Sequence, residues 1–174
     1  GASPVSLPGS QIYENLISGA IDGTEWVGPW QDSFLKFYEA AKYYYYPGFH
    51  EPGTIVGMGF NKKFWDGLSK ADQLLMEASC MKMHQDVYSE HNAKNAVWLA
   101  KLINEQGVQL RKFSDDVADA WGVAAQEVFA EVREHSPLAR RIDDSYRTAL
   151  KSTAAWLKIA DGEYAIQRNR VLGI

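Results

Sequence analysis

Glu25 and Trp26 stand where a short extended stretch, Ala20 to Trp26, runs into a loop at Gly28-Pro29. Side chains and freed backbone carbonyls at such junctions often face a ligand. A carboxylate beside an unpaired carbonyl is a hard-oxygen pair suited to a group I or II cation. The same two residues also read as a surface carboxylate next to a core tryptophan. Glu51 lies in His50-Glu51-Pro52-Gly53, on a loop fixed by Pro47, Gly48, Pro52 and Gly53. Held there it could accept hydrogen bonds from a ligand, or the segment could be a turn chosen for its conformation alone. Glu25 and Glu51 together could instead form an acid/base pair of the glycoside-hydrolysing kind. Nothing in the sequence fixes their separation or marks one of them as protonated.

The other reactive types do not assemble. Cys80 and His84 are four apart on one helical face, a spacing compatible with a metal or a thiolate pair. His91 lies two turns further, roughly 10 Å along the axis, so no third ligand is evident and a buried cysteine is the plainer reading. His135 beside Ser136 and Asp143-Asp144 is no triad, because Ser136 is better used as a helix cap. Gly57-Met58-Gly59 lacks the third glycine and following helix of a dinucleotide site.

The elements that must carry these residues divide the chain unevenly. Five of the six prolines fall in the first 52 residues, and 14 of the 22 aromatics lie between Tyr13 and Trp65. The front is therefore turn-rich and aromatic, and the remainder reads as long helices. Ser10 is expected to cap a helix carrying Ile12, Tyr13 and Leu16, closed by Gly19. Helical spacing runs from Asp32 to Ala41, followed by a β-favouring run, Tyr43 to Tyr46, and a glycine-interrupted strand, Thr54 to Phe60. In the tyrosine run Tyr44 and Tyr46 would share one face. Ser69 with Asp72 resembles a capping box, and the helix after it runs without proline to about Glu105. Its length, on the order of 50 Å, implies a helix crossing between two packed bodies. Val108 to Phe113 alternates as a strand, Ser114 caps another helix, and Ser136-Pro137 opens a last one reaching about Ala165. Three or four short strands are too few for a self-sufficient sheet, so the chain looks like part of something larger.

Composition narrows the function classes. The 174 residues are 46% hydrophobic with a net charge of −4, enough apolar surface for a core. The absence of any basic stripe argues against nucleic acid and against an anionic membrane surface as partners. No apolar run approaches the roughly 18 residues of a membrane span. One cysteine excludes an internal disulfide and a four-thiolate zinc site. The opening Gly1-Ala2-Ser3-Pro4 carries no charged and apolar export signal.

Several stretches together resemble a known family. They are residues 8–13 (Pro-Gly-Ser-Gln-Ile-Tyr), residues 19–30 from Gly19 through Glu25-Trp26 to Trp30, and residues 41–53 with the tyrosine run and His50-Glu51-Pro52-Gly53. Residues 61–69 continue the match, and Gln106-Gly107-Val108 and Asp143-Asp144-Ser145-Tyr146 extend it weakly. The chain resembles the C-terminal half of the substrate-binding subunits of TRAP transporters, most of all the branch for 2-oxo acids and lactate. The resemblance implies an α/β fold: half of a two-lobed periplasmic binding protein, helix-rich, with a long interlobe helix. It implies that residues 1–26 finish one lobe and reach the cleft. Residues 27–68 would return to the other lobe, and residues 69–174 would hold the crossing helix, the rest of the second lobe and the C-terminal helix. Glu25 would be a side-chain ligand of a bound cation, sodium or calcium, and Trp26 would offer its main-chain carbonyl. Trp26, Trp30, Phe49 and Glu51 would lie near the organic acid, for which pyruvate and lactate are the type ligands. The resemblance implies no catalytic residue and no enzyme. It implies membrane subunits, a missing N-terminal half and a homodimer through the C-terminal helix as partners, and a periplasmic location. Two other expectations stand beside it: a stand-alone helical module that oligomerises through its last helix, and a carboxylate-pair hydrolase.

Overall fold

The computed structural model describes residues 2–48, 50–54 and 56–174. The chain forms two compact units, Gly1–Phe113 and Ser114–Ile174.

The first unit begins with α1 (Gly9–Ser18), which buries Ile12 and ends at Gly19 in the left-handed conformation, φ 73°. Glycine adopts that region without the Cβ clash that other residues meet. The expected Ser10 cap is not used: the helix starts one residue earlier, after Pro8, and the Gln11 N–H is taken by the Pro8 carbonyl at 2.8 Å. Residues 20–26 are irregular rather than extended in a ladder. The helix expected over Asp32 to Ala41 is two, α2 (Pro29–Phe34) and α3 (Phe37–Ala40), separated by Lys36 at φ 54°. Strand β1 (Tyr43–Tyr46) follows, then α4 (Lys62–Asp66), capped by the Asn61 side chain. The strand expected over Thr54 to Phe60 does not form in its described residues. A strand needs a neighbour for its donors and acceptors, and among the described residues only β1 and β2 pair. Ile55 lies outside the described residues.

The long helix is present as α5 (Lys70–Asn104), 35 residues or about 52 Å at 1.5 Å each. Ser69 caps it in both directions, accepting from the Asp72 N–H at 3.2 Å and donating to the Asp72 carboxylate at 2.7 Å. Gly107, at φ 68°, turns the chain into β2 (Gln109–Lys112), which pairs parallel to β1 with Tyr43 opposite Gln109 and Tyr46 opposite Lys112. Two flanking bonds, Gln109 N–H to Lys42 and Phe113 N–H to Tyr46, extend the ladder. The core is small: Ile12, Phe37, Leu102 and Val108 are the buried apolar residues among those described.

The second unit is helical: α6 (Asp115–Glu134), α7 (Pro137–Leu157), a π-helical turn at Lys158–Gly162, and α8 (Glu163–Leu172). The last helical run therefore continues past the expected end at Ala165. Ser136 caps α7 through the Ala139 N–H at 3.1 Å, whereas the Ser114 side chain makes no capping bond to the backbone of α6. Arg133 of α6 reaches Asp143 at 2.7 Å and Asp144 at 2.6 Å on α7, and Arg147 holds Asp143 from its own helix. Asp143 and Asp144 are thus structural ion-pair partners. No residue of this unit is buried. Among the described residues no helix is long and apolar enough to cross a membrane.

Candidate functional site

Glu25 and Trp26 sit on the irregular stretch just before α2, and the residues after them are tightly held. The Val27 and Gly28 N–H groups donate to Asp32 Oδ1 at 3.2 and 3.1 Å. Asp32 thereby satisfies donors that a short helix opened by Gly28-Pro29 would otherwise leave unpaired. The second oxygen of Asp32 accepts from the Tyr44 hydroxyl at 2.6 Å, so β1 anchors the same carboxylate. Asp32 is only 9% exposed, and its three bonds to Val27, Gly28 and Tyr44 are what make a buried carboxylate tolerable. Burial, and next the Asp32 carboxylate, push the Tyr44 phenol well above its ordinary value.

On the other side the Trp26 ring lies over α1. A Cβ placed on Gly9 would come within 2.7 Å of Trp26 Cη2, so glycine there is what lets the indole approach. No described residue donates to the Trp26 carbonyl. The Glu25 carboxylate is 61% exposed, with His50 Nε2 at 3.7 Å.

An open cleft of about 2340 Å³ lies within the first unit, and Glu25, Trp26, His50, Glu51 and all four tyrosines of β1 line it. The expected division of the tyrosines into two faces is partial. Tyr44 is half-buried on Asp32, Tyr45 stacks on Phe113 at 4.9 Å, and the Arg111 guanidinium covers Tyr43. Trp30 is not among the lining residues. Its N–H donates to Asn95 Oδ1 at 3.0 Å, and its ring meets His91 and Phe34 edge-on, so it joins α2 to α5. Phe49 lies outside the described residues. Also lining the cleft, Gln31 Nε2 is 2.7 Å from His91 Nε2, and His91 Nδ1 is 2.8 Å from the Val87 carbonyl. A carbonyl only accepts, so His91 Nδ1 donates to Val87.

Cys80 and His84 also border the cleft, but the described residues hold no group of three His, Cys, Asp or Glu side chains able to take a metal. Glu25 and the Trp26 carbonyl supply at most three oxygens, where calcium takes about six to eight. They fit a hard cation as a partial set that needs further ligands. Sequence reasoning overlooked Asp32, Tyr44 and Gly9. Asp32 had one local signal, its place three residues after Pro29 in a helix opened by glycine and proline.

Residues 1–135 match the bacterial extracellular solute-binding proteins, family 7. The chain belongs to this family. Family 7 proteins bind solutes; they are not enzymes. The chain is 29% identical over 164 residues to the monocarboxylate 2-oxoacid-binding periplasmic protein of Nostoc sp., covering 94% of itself and 45% of that protein. Among solved structures it is similar to a TRAP transporter solute-binding protein of Bordetella bronchiseptica, with TM-score 0.89 and 30% identity, over 98% of this chain and 50% of that one. That structure is a mixed-occupancy dimer in which one active site holds copurified calcium and picolinate. A TRAP periplasmic solute-binding protein of Pseudoalteromonas atlantica, with sodium and pyruvate bound, matches with TM-score 0.84 and 32% identity, over 95% of this chain and 50% of that one. This family 7 chain spans about half the length of these relatives. Its fold is that of a partial α/β binding protein of the TRAP type, helix-rich with a small sheet.

Proposed function

We propose that this chain carries the cation-bearing half-site of a periplasmic solute-binding protein that serves a TRAP transporter. The protein captures a small 2-oxo or 2-hydroxy carboxylic acid together with sodium or calcium and delivers it to the membrane subunits. The observation that supports this most is the pairing of an exposed Glu25 carboxylate with a Trp26 carbonyl to which no described residue donates, both lining the cleft. The ligands of the relatives support the acid class. Pyruvate and picolinate are both carboxylates with a second donor atom on the adjacent carbon, able to grip one cation through two atoms. Alone, Glu25 and Glu51 would repel such an anion; a cation between them and the acid neutralises part of that negative charge and gives the acid a positive ion to bind. Trp26 and Glu51, with Phe49, are the proposed neighbours of the acid, and Trp30 contributes through the α2–α5 contact.

The remaining ligands come from a complementary half of comparable length. In this reading residues 1–26 finish one lobe, 27–68 return to the other, and 69–174 cross back. Lobe closure expels water and strengthens both the cation and anion contacts. The C-terminal helix pairs two copies.

The test is calorimetric titration of pyruvate into the whole receptor, with and without chelator. Glu25→Gln should weaken binding by about 10- to 100-fold, the range for losing one charge-assisted contact. It should also remove the dependence on calcium or sodium. Unchanged affinity would remove Glu25 from the site.

A further inference from the structure

The carbonyl of Trp26 and the N–H of Val27 belong to one peptide unit, and this unit is trans. In a trans unit the two groups lie in one plane and point in opposite directions. Asp32 Oδ1 holds the Val27 N–H at 3.2 Å and the neighbouring Gly28 N–H at 3.1 Å. The carboxylate therefore fixes the plane and turns the Trp26 oxygen away from itself. The Trp26 ring lies against Gly9, which places the residue that precedes this unit on α1. Asp32 is in turn held from β1 by the Tyr44 hydroxyl at 2.6 Å. An anion bonded to the N–H end of a peptide also polarises the unit, placing more negative charge on its oxygen.

We propose that Asp32, held by Tyr44, is the positioning residue of the cation site: it aims and polarises the Trp26 carbonyl without touching the cation. This rests on the reading that Trp26 ligates the cation through its main chain. Asp32 thereby links the sheet to the ion. The Tyr44–Asp32–Val27 chain of bonds runs from β1 to the peptide unit of the ligand carbonyl.

The experiment uses terbium(III), a luminescent stand-in for calcium, bound to the whole receptor. Its decay rates in H2O and D2O count the water molecules on the ion, a quantity that loss of stability alone leaves unchanged. Four proteins are compared: wild type, Glu25→Gln, Asp32→Asn and Tyr44→Phe. Asp32→Asn keeps the shape and removes the charge. It should weaken terbium by at least about tenfold, as for other groups that orient a metal ligand. It should also add one water to the ion as the carbonyl drops away. Tyr44→Phe, which keeps the packing of β1, should move both readouts the same way by a smaller amount, and it carries the test if Asp32→Asn fails to fold. If Asp32→Asn and Tyr44→Phe both keep the wild-type affinity and water count while Glu25→Gln loses terbium, the positioning role is wrong and the cation site stands. If wild type and Glu25→Gln behave alike, the cation reading itself fails, and the positioning role falls with it.

Discussion

At the scale of single residues, the peptide that follows Trp26 is held by groups from other elements. Tyr44 is the clearest case. Burial and its bond to Asp32 raise its pKa in the folded chain above the unfolded value of about 10. A group raised in this way contributes stability that is fully present below the unfolded pKa and is lost as pH rises beyond it. The folded phenol resists ionising while the unfolded one gives up its proton. Thermal melts of wild type should therefore fall as pH rises from 9 to 11, and Tyr44→Phe should flatten that slope. Equal slopes in the two proteins would mean that Tyr44 is solvated. Gly9 is the second case: any side chain there meets the Trp26 ring, so its value lies in what it omits.

At the scale of elements, caps and ion pairs hold what burial does not. The second unit buries no residue, so the ion pairs of Arg133 with Asp143 and Asp144 join α6 to α7 together with the Phe129–Tyr146 ring contact and the Arg147–Gln126 bond, and Arg147 braces Asp143. Arg147 and next Arg133 hold the Asp143 carboxyl below the ordinary carboxylate range. A depressed folded pKa contributes stability above the unfolded value of about 3.9 and loses it as pH falls through the folded one. The helicity and melting temperature of residues 114–174 should accordingly drop between pH 4 and pH 2. In Asp143→Asn the same acid step should be smaller, because the titrating group is gone and the pair is already broken at neutral pH. Circular dichroism across that range checks it; an undiminished acid step would assign the transition to other carboxylates.

At the scale of the molecule, the apolar surface exceeds what this chain covers. Val56 is 89% exposed, Met81 75% and Ile174 78%, and among the described residues the sheet has two strands. Parallel sheets are ordinarily covered on both faces, and two strands are marginal alone. The chain spans about half the length of its relatives, which fits surfaces that a complementary half and a second copy would cover. The 174-residue chain by itself should bind the dye ANS strongly and self-associate in light scattering. Both signals should fall when it is produced joined to a complementary half. A monodisperse, dye-silent chain would show that these faces need no cover.

Much of this was legible from local chemistry. Ser69 and Asp72 announced the start of α5, Gly107 its end, Ser136-Pro137 the start of α7, and Tyr43–Tyr46 a strand, because each signal acts within a few residues. Glu25-Trp26 was legible as a place where two kinds of oxygen adjoin. Contacts across the fold were not legible. Tyr44 reaches Asp32 from twelve residues away, Trp26 lies on Gly9, and Trp30 turns to α5 rather than the cleft. Residues 56–60 are strand-like in type but gained no ladder among the described residues, since a strand exists only with a partner. The sequence by itself determined where α5 and α7 begin and that a carboxylate and a backbone carbonyl adjoin at Glu25-Trp26. Only the tertiary structure decided which way the Trp26 carbonyl is held, because that direction depends on a buried carboxylate and a tyrosine that packing alone brings together.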